Sequence, residues 1–470
     1  MKTVFAALTR NRADFPSVPA FCQGQDRLDW ATLAGRVYAG ARALSGAPQV
    51  IAVALPNGLD YVVADLAVTL AGRRLVPIPH FFSAEQIAHI LRDAGVQAVI
   101  GRDLGLPVLT LPTAAAAPVD YAAKAERVIY TSGSSGTPKG VVLGDRQIGA
   151  SLAGLRAAFA PDRTDIHLSI LPQSQLLEQI CGILLPILAG AQVVIAPEAT
   201  PALFGGPIAP MVAAFDAVQP TTSLIAPRLL AAWVADLAAR GANPPASLRY
   251  VAIGGAPTAP ALLHRALALG IPVHEGYGLS EACSVVAVNR PGDNHPGSVG
   301  RVLDGITVTI DAGEIVVSGP TVMQGYLGQT IAPTAWRTGD LGHFIGDRLV
   351  IEGRRDNLIV TPAGRNISPE WVEARLVGLA QVMAGALVLE GDALVLVLAA
   401  VAPVTAGEIA ARLADLPPYA RPSHLLVVDP RTPGLIRPAG TPNRAIARAL
   451  VAAARGQWIA LAPAAVEMSQ

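Results

Sequence analysis

Apolar residues fall along this chain in two alternating rhythms, and that alternation sets the expected fold. Leu28, Trp30, Leu33, Val37 and Leu44 recur at helical spacing between Leu28 and Gly46. A strand is expected at Val50–Leu55, a helix near Tyr61–Gly72, a strand at Arg74–Pro77, a helix at Ser83–Ala94 and a strand at Ala98–Gly101. Such alternation reads as βα units around a mostly parallel sheet. The alanine run Ala114–Ala117, between Thr113 and Pro118, is a connector. Beyond it a helix is expected around Arg146–Phe159, followed by a strand at His167–Ile170.

The most apolar stretch, Ile180–Ala196, is interrupted by Gly182, Pro186, Gly190 and Gln192 and is short for a membrane span. It predicts a buried helix leading into a strand at Gln192–Ala196. Strands at Val308–Ile310 and Glu314–Ser318 suggest a small β subdomain. Near the C-terminus, strands at Ala386–Leu389, Ala393–Ala399 and His424–Val428, with a helix at Ala406–Leu416, form a compact α+β unit of ordinary domain size. No internal repeat is evident.

Composition narrows the functional classes. The chain has 470 residues, enough for two domains and a large core, with 35 basic and 35 acidic side chains. That balance gives no support to nucleic-acid or membrane-surface binding. The three cysteines, Cys22, Cys181 and Cys283, lie far apart, which suits a reducing compartment and argues against a disulfide framework or a metal cluster. Met1–Arg10 lacks the layout of a signal peptide, and a cytoplasmic location is expected.

The chemistry concentrates in Tyr130–Gly140, which follows the apolar Val128-Ile129 and carries three glycines, five hydroxyls and one lysine. Gly133, Gly136 and Gly140 let backbone N–H donors converge on one polyanion. Thr131, Ser132, Ser134, Ser135 and Thr137 add hydroxyl donors, and Lys139 adds a point charge after the stiff Pro138. The spacing is neither a Walker A loop nor a Gly-x-Gly-x-x-Gly turn. A flexible surface loop is the alternative, but a linker needs no ordered hydroxyl and lysine pattern between apolar runs. Farther on, Tyr250–Ile253 ends in Gly254-Gly255-Ala256-Pro257, where backbone can lie close to a flat ligand.

The Tyr130–Gly140 stretch resembles the phosphate-binding signature of the adenylate-forming superfamily, which includes acyl-CoA synthetases, nonribosomal-peptide adenylation domains and beetle luciferases. Members activate a carboxylate with ATP, giving an acyl adenylate and pyrophosphate, and commonly pass the acyl group to a thiol. Gly276-Tyr277-Gly278-Leu279-Ser280-Glu281 resembles a second motif of the family. By that match Tyr277 stacks on adenine, Ser280 meets the α-phosphate and Glu281 holds the magnesium ion bridging the ATP phosphates. An aromatic face suits a purine and a carboxylate oxygen suits magnesium. The alternative for Glu281 is a surface carboxylate. Gly255, Ala256, Pro257, Gly276 and Gly278 complete the expected nucleotide contacts.

The resemblance extends through the rest of the chain. It assigns Asp340, in Arg337–Leu341, to the ribose hydroxyls, Arg354 to ribose and phosphate, and Asp356 to an interdomain hinge. Gly364 falls at the turn beside the pantetheine tunnel, before a helix with Ser368 as N-cap and Pro369 at N1. Asn289–Gly300 is close in wording to the long-chain fatty acyl-CoA synthetase branch. The acyl pocket is expected along Ser174–Glu178, Ser223–Pro227 and Gly254–Pro257, with Ser174, Gln175, Ser223 and Gly254 in its wall. Gln175 stands where acyl-CoA synthetases usually carry a His or aromatic residue. Its amide can bond but not titrate, so any role is positional, and a polar helix-start residue facing solvent is the other reading.

One departure matters more. The family's C-terminal signature ends in Gly-Lys, whereas this chain has Gly440-Thr441 and no lysine after Lys139. A hydroxyl cannot replace a cation in the transition state, and losing one such contact costs on the order of a hundredfold in rate. Arg444 is the candidate substitute, with Arg437 as a second.

The expected architecture is an α/β protein with a large N-terminal lobe of βα sheets and a small β subdomain over residues 1–355, joined to a mobile α+β lid over residues 356–470. The expected activity is ATP- and Mg2+-dependent ligation of a fatty or aryl carboxylic acid to CoA or to the phosphopantetheine of an acyl carrier protein, with no nucleic acid partner and no membrane span. Two alternatives stay open: an enzyme impaired in adenylation that works mainly in the thiol step or on an amine acceptor, and a non-catalytic acyl-nucleotide binding protein.

Overall fold

The computed structural model describes residues 1–121, 125–131, 138–329, 332–361, 365–379, 381–436 and 441–461. Ser132–Thr137, Gly364 and Arg437 therefore lie outside the described residues. Two large sheets organise the N-terminal lobe. One has six strands, in which Glu126–Thr131, Arg74–Pro77, Val50–Ala54 and Ala98–Gly101 run parallel and Lys139–Leu143 returns antiparallel beside Glu126–Thr131. The expected strands and helices over residues 50–101 all form, most of them within two residues of their anticipated ends.

The second sheet has thirteen strands. Its parallel run comprises Pro19–Gln23, Gln192–Ile195, Ile166–Ser169, Thr222–Ile225, Tyr250–Ile253 and Val273–Leu279. From Val273–Leu279 onward the pairing turns antiparallel through Ser284–Val288 and ends at Glu314–Ser318 and Thr307–Asp311. The expected β subdomain is thus the far edge of this sheet rather than a separate one. Continuity arises because the hairpin after Leu279 keeps pairing where a crossover helix would otherwise begin.

Every residue of helix Leu59–Leu70 except Asp60 is buried, which accounts for its nearly unbroken apolar sequence. Helix Trp30–Ala43 starts at Asp29, whose carboxylate accepts the Thr32 N–H at 2.7 Å. Gly35 on that helix lets the alanine connector press in, since an added Cβ would stand 2.5 Å from Cβ of Ala115. The Ile180–Ala196 segment is buried as expected, but its first turns are a π-helix, Gln179–Leu184, leading to Leu185–Ala189 and the strand Gln192–Ile195. Among the described residues no helix is long and apolar enough to cross a membrane.

One polar cluster crosses this apolar interior. Arg127, 1% exposed, binds the fully buried Asp65 through both terminal nitrogens at 2.6 and 2.5 Å. It also donates to Gln179 at 2.7 Å, and Gln179 in turn donates to the Tyr61 hydroxyl at 3.0 Å.

The C-terminal unit is built on a sheet of Val382–Glu390, Ala393–Ala400, His424–Val428 and Ile459–Ala460. Helix Ala406–Arg412 carries a capping box between Thr405 and Glu408 and ends before the anticipated Leu416. Pro369 opens helix Pro369–Glu373 as expected, but the Ser368 hydroxyl donates to the Glu370 carboxylate at 3.0 Å instead of capping the backbone. Among the described residues, no cluster of buried apolar side chains combines positions before Ile351 with positions after Ile359.

Breaking the central ion pair should be strongly destabilising. Removing one partner of a buried pair leaves an uncompensated charge and costs about 3–5 kcal/mol. Asp65→Ala is expected to lose stability of that order in equilibrium denaturation, whereas loss of under about 1 kcal/mol, the value of an exposed pair, would refute the assignment.

Candidate functional site

The parallel strands of the thirteen-stranded sheet end beside the six-stranded sheet, and a single cavity of about 830 Å³ lies where the two meet. Open α/β sheets bind ligands at the carboxyl ends of their strands, and this cavity follows that rule. Its polar end is formed by Thr131, by Gly254 and Gly255, and by Gly276–Ser280. The Tyr277/Gly278 step is a bulge, and Gly278 is indispensable to it because an added Cβ would overlap the Ser284 carbonyl oxygen at 1.7 Å.

Two sets of side chains flank that end. In one, the Tyr277 hydroxyl donates to Asp340 Oδ2 at 2.5 Å while Arg354 holds Asp340 Oδ1 at 3.0 Å. Burial shifts the Asp340 carboxyl above its ordinary range, opposed by bonds from Tyr277 and Arg354. Residues 63 and 77 positions from Tyr277 are thus brought together with it, and Tyr277 is the one of the three that lines the cavity. In the other set, Tyr326 donates to Glu281 Oε1 at 2.8 Å, and Lys139 Nζ lies 5.4 Å from the Tyr326 ring centroid. Tyr326 escaped the sequence reading. Its signal was the aromatic position in a short segment, Gly325–Tyr326, that pairs with the strand after the phosphate loop.

Magnesium suits this corner. Glu281 sits on a short turn, Ser280–Ala282, with one carboxylate oxygen bonded to Tyr326 and the other making no hydrogen bond among the described residues. No cluster of three or more His, Cys, Asp or Glu occurs among those residues. One carboxylate is enough for an ion that keeps waters and phosphate oxygens as its other ligands.

The flanks of the phosphate stretch are pinned on both sides. Tyr130 donates to Asp93 at 2.6 Å, and the His89 ring meets the Pro138 carbonyl at 2.9 Å. The six residues between, Ser132, Gly133, Ser134, Ser135, Gly136 and Thr137, lie outside the described residues.

Most of the residues expected in the acyl wall line the cavity. Ser174, Gln175, Leu176 and Leu177 line the cavity, as do Ser223, Leu224 and Gly254. Gln175 occupies the N-cap position of a short helix but makes no capping bond, and its place in the cavity wall removes the solvent-facing reading. Ala256 and Pro257 do not line the cavity and are exposed, because Gly255 turns the chain away with φ +84°. Ile225–Pro227 also fall outside the wall.

Glu178 stands behind the wall rather than in it. It is fully buried, accepts the Ser169 hydroxyl on Oε1 and leaves Oε2 without a partner. Gly182 makes room for it, since a Cβ there would be 2.2 Å from Oε1.

Arg444 is not free to act in the cavity. Its guanidinium binds Glu373 at 2.5 and 2.8 Å and Glu370 at 2.9 Å, all within the C-terminal unit. The substitution expected for the missing lysine is thus not what this arrangement provides. Asn443 and Ala445, flanking Arg444, do reach the cavity, and Thr441 is exposed nearby in sequence. Asp356 lies on the turn Arg355–Asn357 between the two groups of apolar clusters.

Burial raises the Glu178 carboxyl from 4.5 to about 7. Between those values the unfolded chain has released this proton and the folded chain has kept it, so stability falls as pH rises through that window. Glu178→Gln should flatten the fall in melting temperature between about pH 4.5 and about pH 7. An unchanged pH profile would show that Glu178 does not carry it.

Comparison with known proteins agrees with this geometry. The chain is 28% identical over 378 residues to a 2-succinylbenzoate–CoA ligase of Bacillus cytotoxicus, covering 73% of this chain and 76% of that one. Its fold is shared with the o-succinylbenzoate CoA synthetase of Bacillus subtilis in complex with an acyl-adenylate intermediate, with TM-score 0.77, 22% identity and coverage of 92% and 95% of the two chains. It is shared also with an anthranilate CoA ligase in complex with anthranoyl-AMP, with TM-score 0.81, 19% identity and coverage of 96% and 98%. The sequence model of the AMP-binding enzyme family matches residues 8–327, and the chain belongs to that family.

Proposed function

We propose that this protein is an ATP-dependent ligase that converts a carboxylic acid to its acyl adenylate and transfers the acyl group to the thiol of CoA. The observation that carries this reading is two side-chain groups, Tyr277 with Asp340 and Arg354, and Glu281 with Tyr326 and Lys139, joined in sequence by Tyr277 and Ser280, which line a deep, largely apolar cavity. An aromatic ring next to a carboxylate held ready for two hydroxyl donors suits a nucleoside. A carboxylate near an exposed lysine, after a hydroxyl-rich loop, suits magnesium and a polyphosphate. Bound magnesium would neutralise phosphate charge. Within this chain, Tyr326 orients Glu281 while Arg354 and Tyr277 fix Asp340.

Ser280 is positioned as the α-phosphate contact, and Lys139 with Thr131 as contacts to the phosphates. The substrate is an aryl or fatty acid, its carboxylate at the Gly254 end and its body among the apolar walls. Residues 1–355 form the ATP- and acyl-binding lobe and residues 356–470 a lid turning about Asp356, a division supported by the separation of the apolar clusters. Gly364 belongs to the thiol tunnel in this scheme. Lid turning is a gating motion that lets one site serve both half-reactions. A carrier protein is the alternative acceptor, and the cytoplasm, where ATP and CoA are supplied, is the place of action.

A second reading has specific support. Thr441 supplies no charge and Arg444 is engaged by two glutamates, so adenylation is slow and the thiol step is the better one.

Pyrophosphate release and thioester formation with a panel of aryl and fatty acids test the proposal. Both should depend on magnesium, with thioester formation alone also requiring CoA, and failure of well-folded protein to bind ATP would overturn it. Thr441→Lys is expected to raise the rate of ATP–pyrophosphate exchange by about tenfold or more, since one well-placed electrostatic contact is worth on the order of a hundredfold. An unchanged rate would mean that adenylation here does not wait on that cation.

A further inference from the structure

Residues 322–327 form a strap between the two large sheets. Met323 donates its backbone N–H to the Glu281 carbonyl at 2.8 Å, on the hairpin of the thirteen-stranded sheet. Gln324 and Leu327 then donate to the carbonyls of Val142 and Gly140 at 3.0 and 2.7 Å, on the strand that returns from the phosphate stretch in the six-stranded sheet. The turn that carries Glu281 is thereby tied to the strand that begins with Lys139.

Tyr326 is where the strap meets both charges. Its hydroxyl donates to Glu281 Oε1 at 2.8 Å, and the Lys139 ammonium lies 5.4 Å from its ring centroid, within cation–π reach. Trp336, on strand Ala335–Ile345, meets the ring at 82° with 5.6 Å between centroids, and pairing of Tyr326 with Val141 holds its backbone. The ring is therefore fixed from two sides. Lys139 and Glu281, both among the described residues, make no ion pair with each other; each is engaged by the tyrosine instead.

That arrangement answers a problem set by the chemistry. A carboxylate suited to a metal cation and an ammonium suited to phosphate attract each other whenever neither ligand is bound. Each ligand must then break the pair first, and a pair closed about nine-tenths of the time lowers the apparent affinity about tenfold. An aromatic ring with a hydroxyl separates the two without adding a charge, because the hydroxyl donates to the carboxylate and the electron-rich face attracts the ammonium. Resting on the ATP reading above, we propose that Tyr326 is a positioning residue that keeps Lys139 and Glu281 from neutralising each other, leaving the carboxylate open to magnesium and the ammonium open to phosphate.

The lysine itself can report this. The chain has three lysines, Lys2, Lys124 and Lys139, so isotope-labelled methylation of the amines gives few NMR signals, and Lys139→Arg assigns the one that matters. In the full chain without nucleotide that signal should sit upfield, shielded by the ring, and Glu281→Gln should leave it nearly in place. Tyr326→Leu should abolish the upfield shift, and adding Glu281→Gln to Tyr326→Leu should move the signal again, since only then does the ammonium reach the carboxylate. Tyr326→Met replaces the leucine variant throughout if that one misfolds. A signal that follows Glu281 equally with and without Tyr326, or that ignores Glu281 in both cases, would overturn the proposal. Calorimetry of ATP binding gives the second readout. The magnesium concentration for half-maximal binding should rise about tenfold in Tyr326→Leu, rise less in Tyr326→Phe, which keeps the ring, and fall back when Lys139→Met is added to Tyr326→Leu. A tyrosine that merely shapes the fold would leave the double variant no better than the single one. The expected NMR pattern without ATP binding by the native chain would leave the proposal standing and overturn the ATP reading instead. ATP binding with the wrong NMR pattern would do the reverse.

Discussion

One buried ion pair ties together the elements that meet around the cavity. Arg127 belongs to the strand that feeds the phosphate stretch, Asp65 to the helix between the sheets, and Gln179 to the π-helix behind the acyl wall. An arginine can join three elements at once because its planar head presents several donors in fixed directions. Replacing the cluster with packed hydrocarbon would cost little and could even stabilise the lobe, so its value lies elsewhere. It fixes the register between the strand that leads into residues 132–137, the helix between the sheets and the π-helix beside the cavity wall.

Around that anchor the site uses a change in pairing direction. The sheet is parallel up to Val273–Leu279 and antiparallel beyond it, and the hairpin at the change carries Tyr277, Ser280 and Glu281. A parallel strand must be followed by a long crossover, whereas an antiparallel one can turn back at once. The immediate return puts an aromatic ring, a hydroxyl and a carboxylate within five residues at the strand ends. Asp340 and Arg354 come back to the same place because Ala335–Ile345 and Arg348–Arg354 belong to the antiparallel extension of that sheet.

What the sequence made legible follows from range. Glycine-dense turns, apolar runs and local motifs are short-range signals, and most of the expected strands and helices from Val50 to Gly101 formed with ends close to those anticipated. The nucleotide residues were legible only through resemblance, since nothing local joins Tyr277 to Asp340. Pairings across long separations were not legible at all. Arg127 with Asp65 and Tyr326 with Glu281 each join ordinary residues whose roles appear once the sheets are assembled. The N-terminal helix Lys2–Asp14 also went unread, although its apolar positions pack beneath the lobe and Asn11 reaches the Ile187 carbonyl at 2.9 Å.

Arg444 shows how a residue can fit a motif and still be occupied. Its two glutamate partners are themselves largely buried, and burial raises the Glu373 carboxyl, opposed by the Arg444 guanidinium. Taking the arginine away would leave two neighbouring carboxylates in a poorly solvated space and loosen helix Arg444–Ala453 from helix Pro369–Glu373. Loss of activity on removing Arg444 would therefore report a damaged lid as readily as a missing catalytic charge. Adding a charge at the exposed Thr441 disturbs none of these contacts. The two positions, three residues apart, separate the architecture of the C-terminal unit from the charge that position 441 lacks.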